Sequence, residues 1–165
     1  MARAYKKTYL NGAMRNLAVM MDCGVRKYGY KIGEFYQKFL SSGVSRQFGK
    51  GNPRYLVGMS GAELADLVVQ ESGGIVSDKN DGTYTTGPEY WVGWVLAYYQ
   101  WLSCRSFATM QRKGLGADTV VKMYYPLHEA DLSKFADVAD EIMSPVHPIP
   151  HGCPRRLDTR TMCVK

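Results

Sequence analysis

Residues 88–102, PEYWVGWVLAYYQWL, decide how the rest of the chain is read. Pro88 suits a first helical position, where the missing N–H costs nothing. Tyr90, Trp91, Val92, Trp94, Val95, Leu96, Tyr98, Tyr99, Trp101 and Leu102 then cover every face of a helix drawn through the stretch. A helix that is apolar all round belongs at the centre of a protein. All three tryptophans of the chain fall here, which makes this segment the expected core.

The neighbouring segments have one apolar face each. Leu10, Met14, Leu17, Met21, Val25 and Tyr28 recur at steps of three and four, predicting an amphipathic helix over about 8–28 with Gly29 as its stop. Asn11, Arg15, Asp22 and Arg26 share its other face. Ile32, Phe35, Tyr36, Phe39 and Leu40 form the stripe of a second helix that ends near 41–43. SRQFGKGNP, 45–53, reads as a basic loop with at most one helical turn. Ser60 and Glu63 have capping-box spacing and open a helix carrying Leu64, Leu67 and Val68 inward, up to Gly73 and Gly74.

Residues 75–86 read either as a short hairpin about Asn80-Asp81-Gly82 or as a surface loop. Ser106 can cap a short helix that Gly114 ends, Asp118 can cap the next through about Tyr125, and Pro126 limits it. The last helix, 129–143, packs Leu132, Phe135, Ala136, Ala139 and Ile142 inward. From 145 onward four of the seven prolines fall within ten residues, so 145–165 reads as a Pro-rich tail. The expected fold is all-α: one domain over 1–144, about six to seven helices around the aromatic one.

Composition bounds the function. The chain has 165 residues, 45% hydrophobic and 22% charged, which excludes disorder throughout. No run approaches the roughly 20 apolar residues of a membrane span, and the basic start lacks an apolar stretch behind it. A soluble, unexported protein is expected, with no membrane partner. Cys23, Cys104, Cys153 and Cys163 contain no C-x-x-C pair, so reduced thiols are expected.

The formal charge of +6 divides unevenly. Residues 1–56 hold 11 Lys and Arg against Asp22 and Glu34, or +9. Residues 57–144 hold 6 against 12 acids, or −6, and the tail holds 4 against Asp158, or +3. The basic front offers Lys6, Lys7, Arg15, Arg26, Lys27, Arg46, Lys50 and Arg54 as candidate contacts to nucleic-acid phosphates, an ordinary solvated cationic face being the other reading. Asp131, Asp137, Asp140 and Glu141 form a candidate acidic, partner-binding face of the kind that can occupy a groove meant for phosphate, or else a plain solvated one.

Three other constellations are weaker. His128-Glu129-x-Asp131 sets an imidazole beside carboxylates, but the acids serve equally as helix caps and no nucleophile pairs with them, so no catalytic residue is assigned. His147, His151, Cys153 and Cys163 have zinc-binding chemistry with a spacing that fits no common finger; no metal site or cofactor is expected. SFATMQRKGLGADTVVKMYYPL, 106–127, matches a helix-turn-helix in part, with Gly114 as turn glycine, Met110 where a small residue is usual and Lys122 as the only cation of the reading helix.

TYLNGAMRNLAVMMD (8–22), NPRYLVGMSGAELA (52–65), PEYWVGWVLAYYQW (88–101) and YYPLHEADLSKFADVADEIM (124–143) together resemble a family of small proteins carried by phages and mobile elements of gut Firmicutes, thought to include an anti-CRISPR inhibitor of Cas9. These phrases hold core and cap residues, so the resemblance carries over no functional residue. It implies a stoichiometric binder, not an enzyme, that engages Cas9 or the Cas9–guide RNA complex and blocks target-DNA recognition or cleavage. A helix-turn-helix-like DNA-binding regulator of a mobile element is the alternative.

Overall fold

The computed structural model describes residues 2–77 and 84–144. Within them the chain is an all-α bundle with no strand: α1 (Leu10–Arg26), α2 (Ile32–Ser41), α3 (Gly43–Gly49), α4 (Gly61–Glu71), α5 (Pro88–Ser103), α6 (Phe107–Arg112), α7 (Ala117–Val120), α8 (Tyr124–Leu127) and α9 (Leu132–Met143). The count exceeds the expected six to seven because the expected 45–53 loop contributes α3 and because a 3-10 turn, Val121–Met123, divides the expected 118–125 helix into the single turns α7 and α8. The turn of the expected hairpin, 78–83, and the 145–165 tail with its His and Cys lie outside the described residues.

The centre is a pair, α1 crossed by α5. Gly93 lies where the two backbones meet, and a Cβ there would stand 2.4 Å from the Leu17 carbonyl oxygen and 2.6 Å from Ala18 Cα. On another side of α1, Gly61 at the start of α4 allows a similar approach to the Asn16 carbonyl. Leu17, Met20, Met21, Val92, Leu96, Phe35, Phe39, Phe48 and Phe107 fill the space between these helices and are completely or almost completely buried. Phe107 meets Phe39 edge-on at 5.2 Å, tying α6 to α2.

Caps come from both sequence neighbours and distant acids. The Ser60–Glu63 box forms as expected, with Ser60 Oγ accepting from the Glu63 amide at 3.2 Å and Glu63 Oε2 from the Ser60 amide at 2.7 Å. Ser106 caps α6 by accepting from the Thr109 amide, and Gly29, Gly73 and Gly114 all take positive φ at helix ends. Glu71 on α4 accepts from the Gly43 amide at 2.6 Å, capping α3 from 28 residues away.

Four expectations are corrected. The 45–53 stretch is mostly helix, α3, because Val44 and Phe48 at a four-residue step bury themselves in the core. A π-helical turn at Arg54–Gly58 follows, and Asn16 Nδ2 donates to the Leu56 and Met59 carbonyls at its end. Asp22, assigned to the polar face of α1, is buried, and its Oδ2 accepts from the Thr85 amide at 3.2 Å. Asp118 does not cap α7, whose cap is Gly116; its carboxylate rests against Gly33 in the first turn of α2. Pro126 sits inside α8 rather than ending a helix at Tyr125.

The helix after Gly114 is a four-residue turn with Ala117 and Val120 buried. That leaves no extended helix to enter a groove. No helix among the described residues is long and apolar enough to cross a membrane.

Candidate functional site

The predicted cations do not form one patch. At one end of the bundle the N-terminal arm is laced to the C-terminal end of α5: the Ala4 amide donates to the Trp101 carbonyl at 3.2 Å, and Trp101 Nε1 donates to the Tyr5 carbonyl at 2.9 Å. Arg3 donates to the Leu102 carbonyl at 2.8 Å and stacks 4.9 Å from the centre of the Trp101 ring. The arm also presses on Gly51, where a Cβ would stand 2.9 Å from Tyr5 Cβ and where φ is +77°. Gln100 Nε2 donates to the Gly49 carbonyl at 3.2 Å.

These contacts bring Lys6 and Lys7 beside the loop that carries Lys50 and Arg54, and all four are exposed. Arg105, also exposed, follows two residues after the end of α5. The segments that build this end, 2–21, 43–62 and 100–117, contain no carboxylate. Among the described residues, carboxylates from outside reach these segments only as backbone caps, Glu71 at the Gly43 amide and Glu63 at the Ser60 amide, while Asp140 Oδ1 accepts from Tyr99 Oη at 2.5 Å next to the third.

The other cations stand apart. Lys7 and Arg26 are separated by about 28 Å along the helical rise. Arg26 lies 3.8 Å from the buried Asp22. Lys27 is nine-tenths covered and pairs with Asp66 at 2.9 Å, and Tyr28 Oη hydrogen-bonds the same carboxylate oxygen. Both are engaged within the fold. Arg15, exposed on α1, reaches Tyr84 Oη at 3.5 Å, and Arg46 is exposed on α3.

The acidic residues divide in the same way. Asp131 is the N-cap of α9 and accepts from the Ser133 amide at 2.8 Å; the Ser133 side chain, and after it that amide bond, holds its carboxyl below the ordinary range. Asp140 holds Tyr99. Asp137 and Glu141 are exposed and make no hydrogen bond or ion pair with the described residues.

A feature that sequence reasoning missed lies at the opposite end of α5. Tyr90, Trp91 and Trp94 are only partly covered, and with Thr86, Tyr124 and His128 they line a cavity of about 280 Å³. Its walls are ordered stacks: Tyr84 on Tyr90 at 5.5 Å and 12°, Tyr90 on Trp94 at 6.1 Å and 20°, and Tyr124 on His128 at 4.4 Å and 22°. A second cavity of about 150 Å³ shares Trp91, Trp94 and His128 and continues to Asp131 and Phe135. His128 Nδ1 lies 2.9 Å from the Tyr124 carbonyl, which can only accept, so Nδ1 carries the proton. Nε2 lies 3.7 Å from the exposed Glu129 carboxylate. The available signal was the four-residue step in both helices, 90 to 94 and 124 to 128, which puts two aromatic pairs each on one face.

No group of three or more His, Cys, Asp or Glu side chains able to hold a metal ion occurs among the described residues. Compared with protein-family models, curated proteins and solved structures, the chain matches none of them.

Proposed function

We propose that this protein is a stoichiometric binding protein whose basic end contacts nucleic-acid phosphates held by a ribonucleoprotein partner, and that the partner is Cas9 with or without its guide RNA. Binding blocks target-DNA recognition or cleavage without turnover. The observation that carries the binding part is the gathering of Lys6, Lys7, Lys50 and Arg54 at an end whose own chain segments contain no carboxylate. Cations there face water without an internal partner, so a phosphate backbone meets them with no competing ion pair to break. The resemblance of the 8–22, 52–65, 88–101 and 124–143 phrases to a family of phage and mobile-element proteins thought to include an anti-CRISPR inhibitor supports Cas9 as the partner. A helix-turn-helix regulator is less well supported, because the turn after Gly114 is four residues long and half buried.

The test is a Cas9 cleavage assay with excess protein across several orthologues, paired with capture from a Cas9-containing lysate with and without guide RNA. Inhibition that Lys6→Glu with Lys50→Glu weakens at least tenfold, and that Arg26→Glu leaves nearly unchanged, is the expected pattern. Full cleavage with every orthologue removes the Cas9 reading. Retained salt-dependent DNA binding in a mobility-shift titration would then favour the regulator.

A further inference from the structure

We infer that the aromatic cavity between α5 and α8 is a receptor for a cationic side chain, an arginine on a basic segment of a protein partner. Three observations at the cavity select that guest. Its lining is aromatic, with Tyr90, Trp91, Trp94 and Tyr124 all reaching it, and aromatic rings attract a guanidinium. Its size, about 280 Å³, lies just under the range of about 300–1,000 Å³ for pockets that take drug-sized ligands, so it suits one long side chain. Its α8–α9 rim carries carboxylate: Glu129 beside His128, and Asp131 in the adjoining cavity.

Charge in the surrounding chain argues the same way. Residues 121–144 hold Lys122 and Lys134 against five acids, so a phosphate backbone is repelled where a cation is drawn in. Arg15 is the opposing cation: it reaches Tyr84 Oη at 3.5 Å and acts on Tyr90, so it belongs to the Tyr84–Tyr90 side of the cavity, while Glu129 and Asp131 belong to the α8–α9 side. This surface is distinct from the basic end, and its occupancy does not depend on the Cas9 reading.

The experiment titrates a short peptide, acetyl-Gly-Ser-Arg-Gly-Arg-Gly-Ser-Gly-amide, into the full chain while following the three indole N–H resonances. A citrulline counterpart keeps the shape and removes the charge. The chain's net +6 gives no general attraction for a polycation, so binding reports the site. The Trp91 and Trp94 signals are expected to shift while Trp101, sealed by the N-terminal arm, stays in place. The arginine peptide should bind about tenfold tighter than the citrulline one, the difference between a charged and a neutral guest over a partly desolvated aromatic face. Trp94→Ala should lose about tenfold by removing a wall of the cage. Glu129→Lys, a change at a fully solvated position, should weaken binding about threefold or more with the fold intact. Equal binding of the two peptides, tighter binding of a uridine hexanucleotide at the same indoles, or no shift at millimolar peptide would each overturn the inference.

Discussion

The two halves of α5 carry the same kind of side chain and are treated differently by the fold. In the C-terminal half, Tyr99 and Trp101 are covered: α9 supplies Phe135, edge-on to Tyr99 at 6.4 Å, and the N-terminal arm closes over Trp101. In the N-terminal half, Tyr90 stacks on Trp94, Trp91 meets Tyr124 and the same Phe135 edge-on, and all three stay partly exposed at a cavity. An aromatic run therefore fixes where a helix is needed but not which of its residues are sealed. That depends on what else reaches the helix, and the arm reaches only one end.

Substitution should separate the halves. Trp101→Ala removes a buried indole, its bond to Tyr5 and the ring under Arg3, and should cost about 4 kcal/mol in urea unfolding. Trp94→Ala should cost less, about 2 kcal/mol, since its ring is only partly covered. Equal losses would mean that the open half is covered in solution. Gly93→Ala, at the join of the halves, forces a methyl onto the α1 backbone and should cost about 3 kcal/mol, read as a lower urea midpoint with unchanged slope.

Smaller effects sharpen the contrast. Tyr99→Phe removes one hydrogen bond to Asp140, which is exposed on α9 and can turn to water, so the loss should be about 1 kcal/mol. Asp22 joins α1 to the strap that leads into the open half, and burial, opposed by the Thr85 amide and Arg26, raises its carboxyl above 3.8. The native chain then keeps this proton at pH values where the unfolded chain has lost it. The Asp22 contribution is thus most favourable at low pH and declines as pH rises from about 3.8 through the raised native value. Asp22→Asn should flatten that part of the stability profile. Glu63 has the opposite sign: the Ser60 bonds lower its carboxyl, so its contribution is present above 4.5 and fades as pH falls.

Much of the fold was legible because local chemistry specified it. The Ser60–Glu63 box, the Ser106 cap and the glycine stops at 29, 73 and 114 depend on neighbours in sequence, and all formed. The 45–53 stretch was misread because its glycines, Asn52 and Pro53 signal a loop, while Val44 and Phe48 find tertiary burial that outweighs them. The candidate sites were legible only as lists. Lys27 and Lys50 look alike in sequence, yet one is held by Asp66, 39 residues away, and the other faces water.

By itself the sequence determined the all-α class, the central place of the 88–102 helix and the division of charge between front and middle. Hydrophobic period, capping residues and net charge are properties of the chain as written, and need no knowledge of what lies across a contact. Tertiary structure alone decided which cations remain available, which acids serve as caps or hydrogen-bond acceptors, and that three of the core aromatics open onto a cavity. Those outcomes depend on groups distant in sequence arriving within about 3–4 Å of one another, where a single carboxylate or a covering arm changes what a side chain can do.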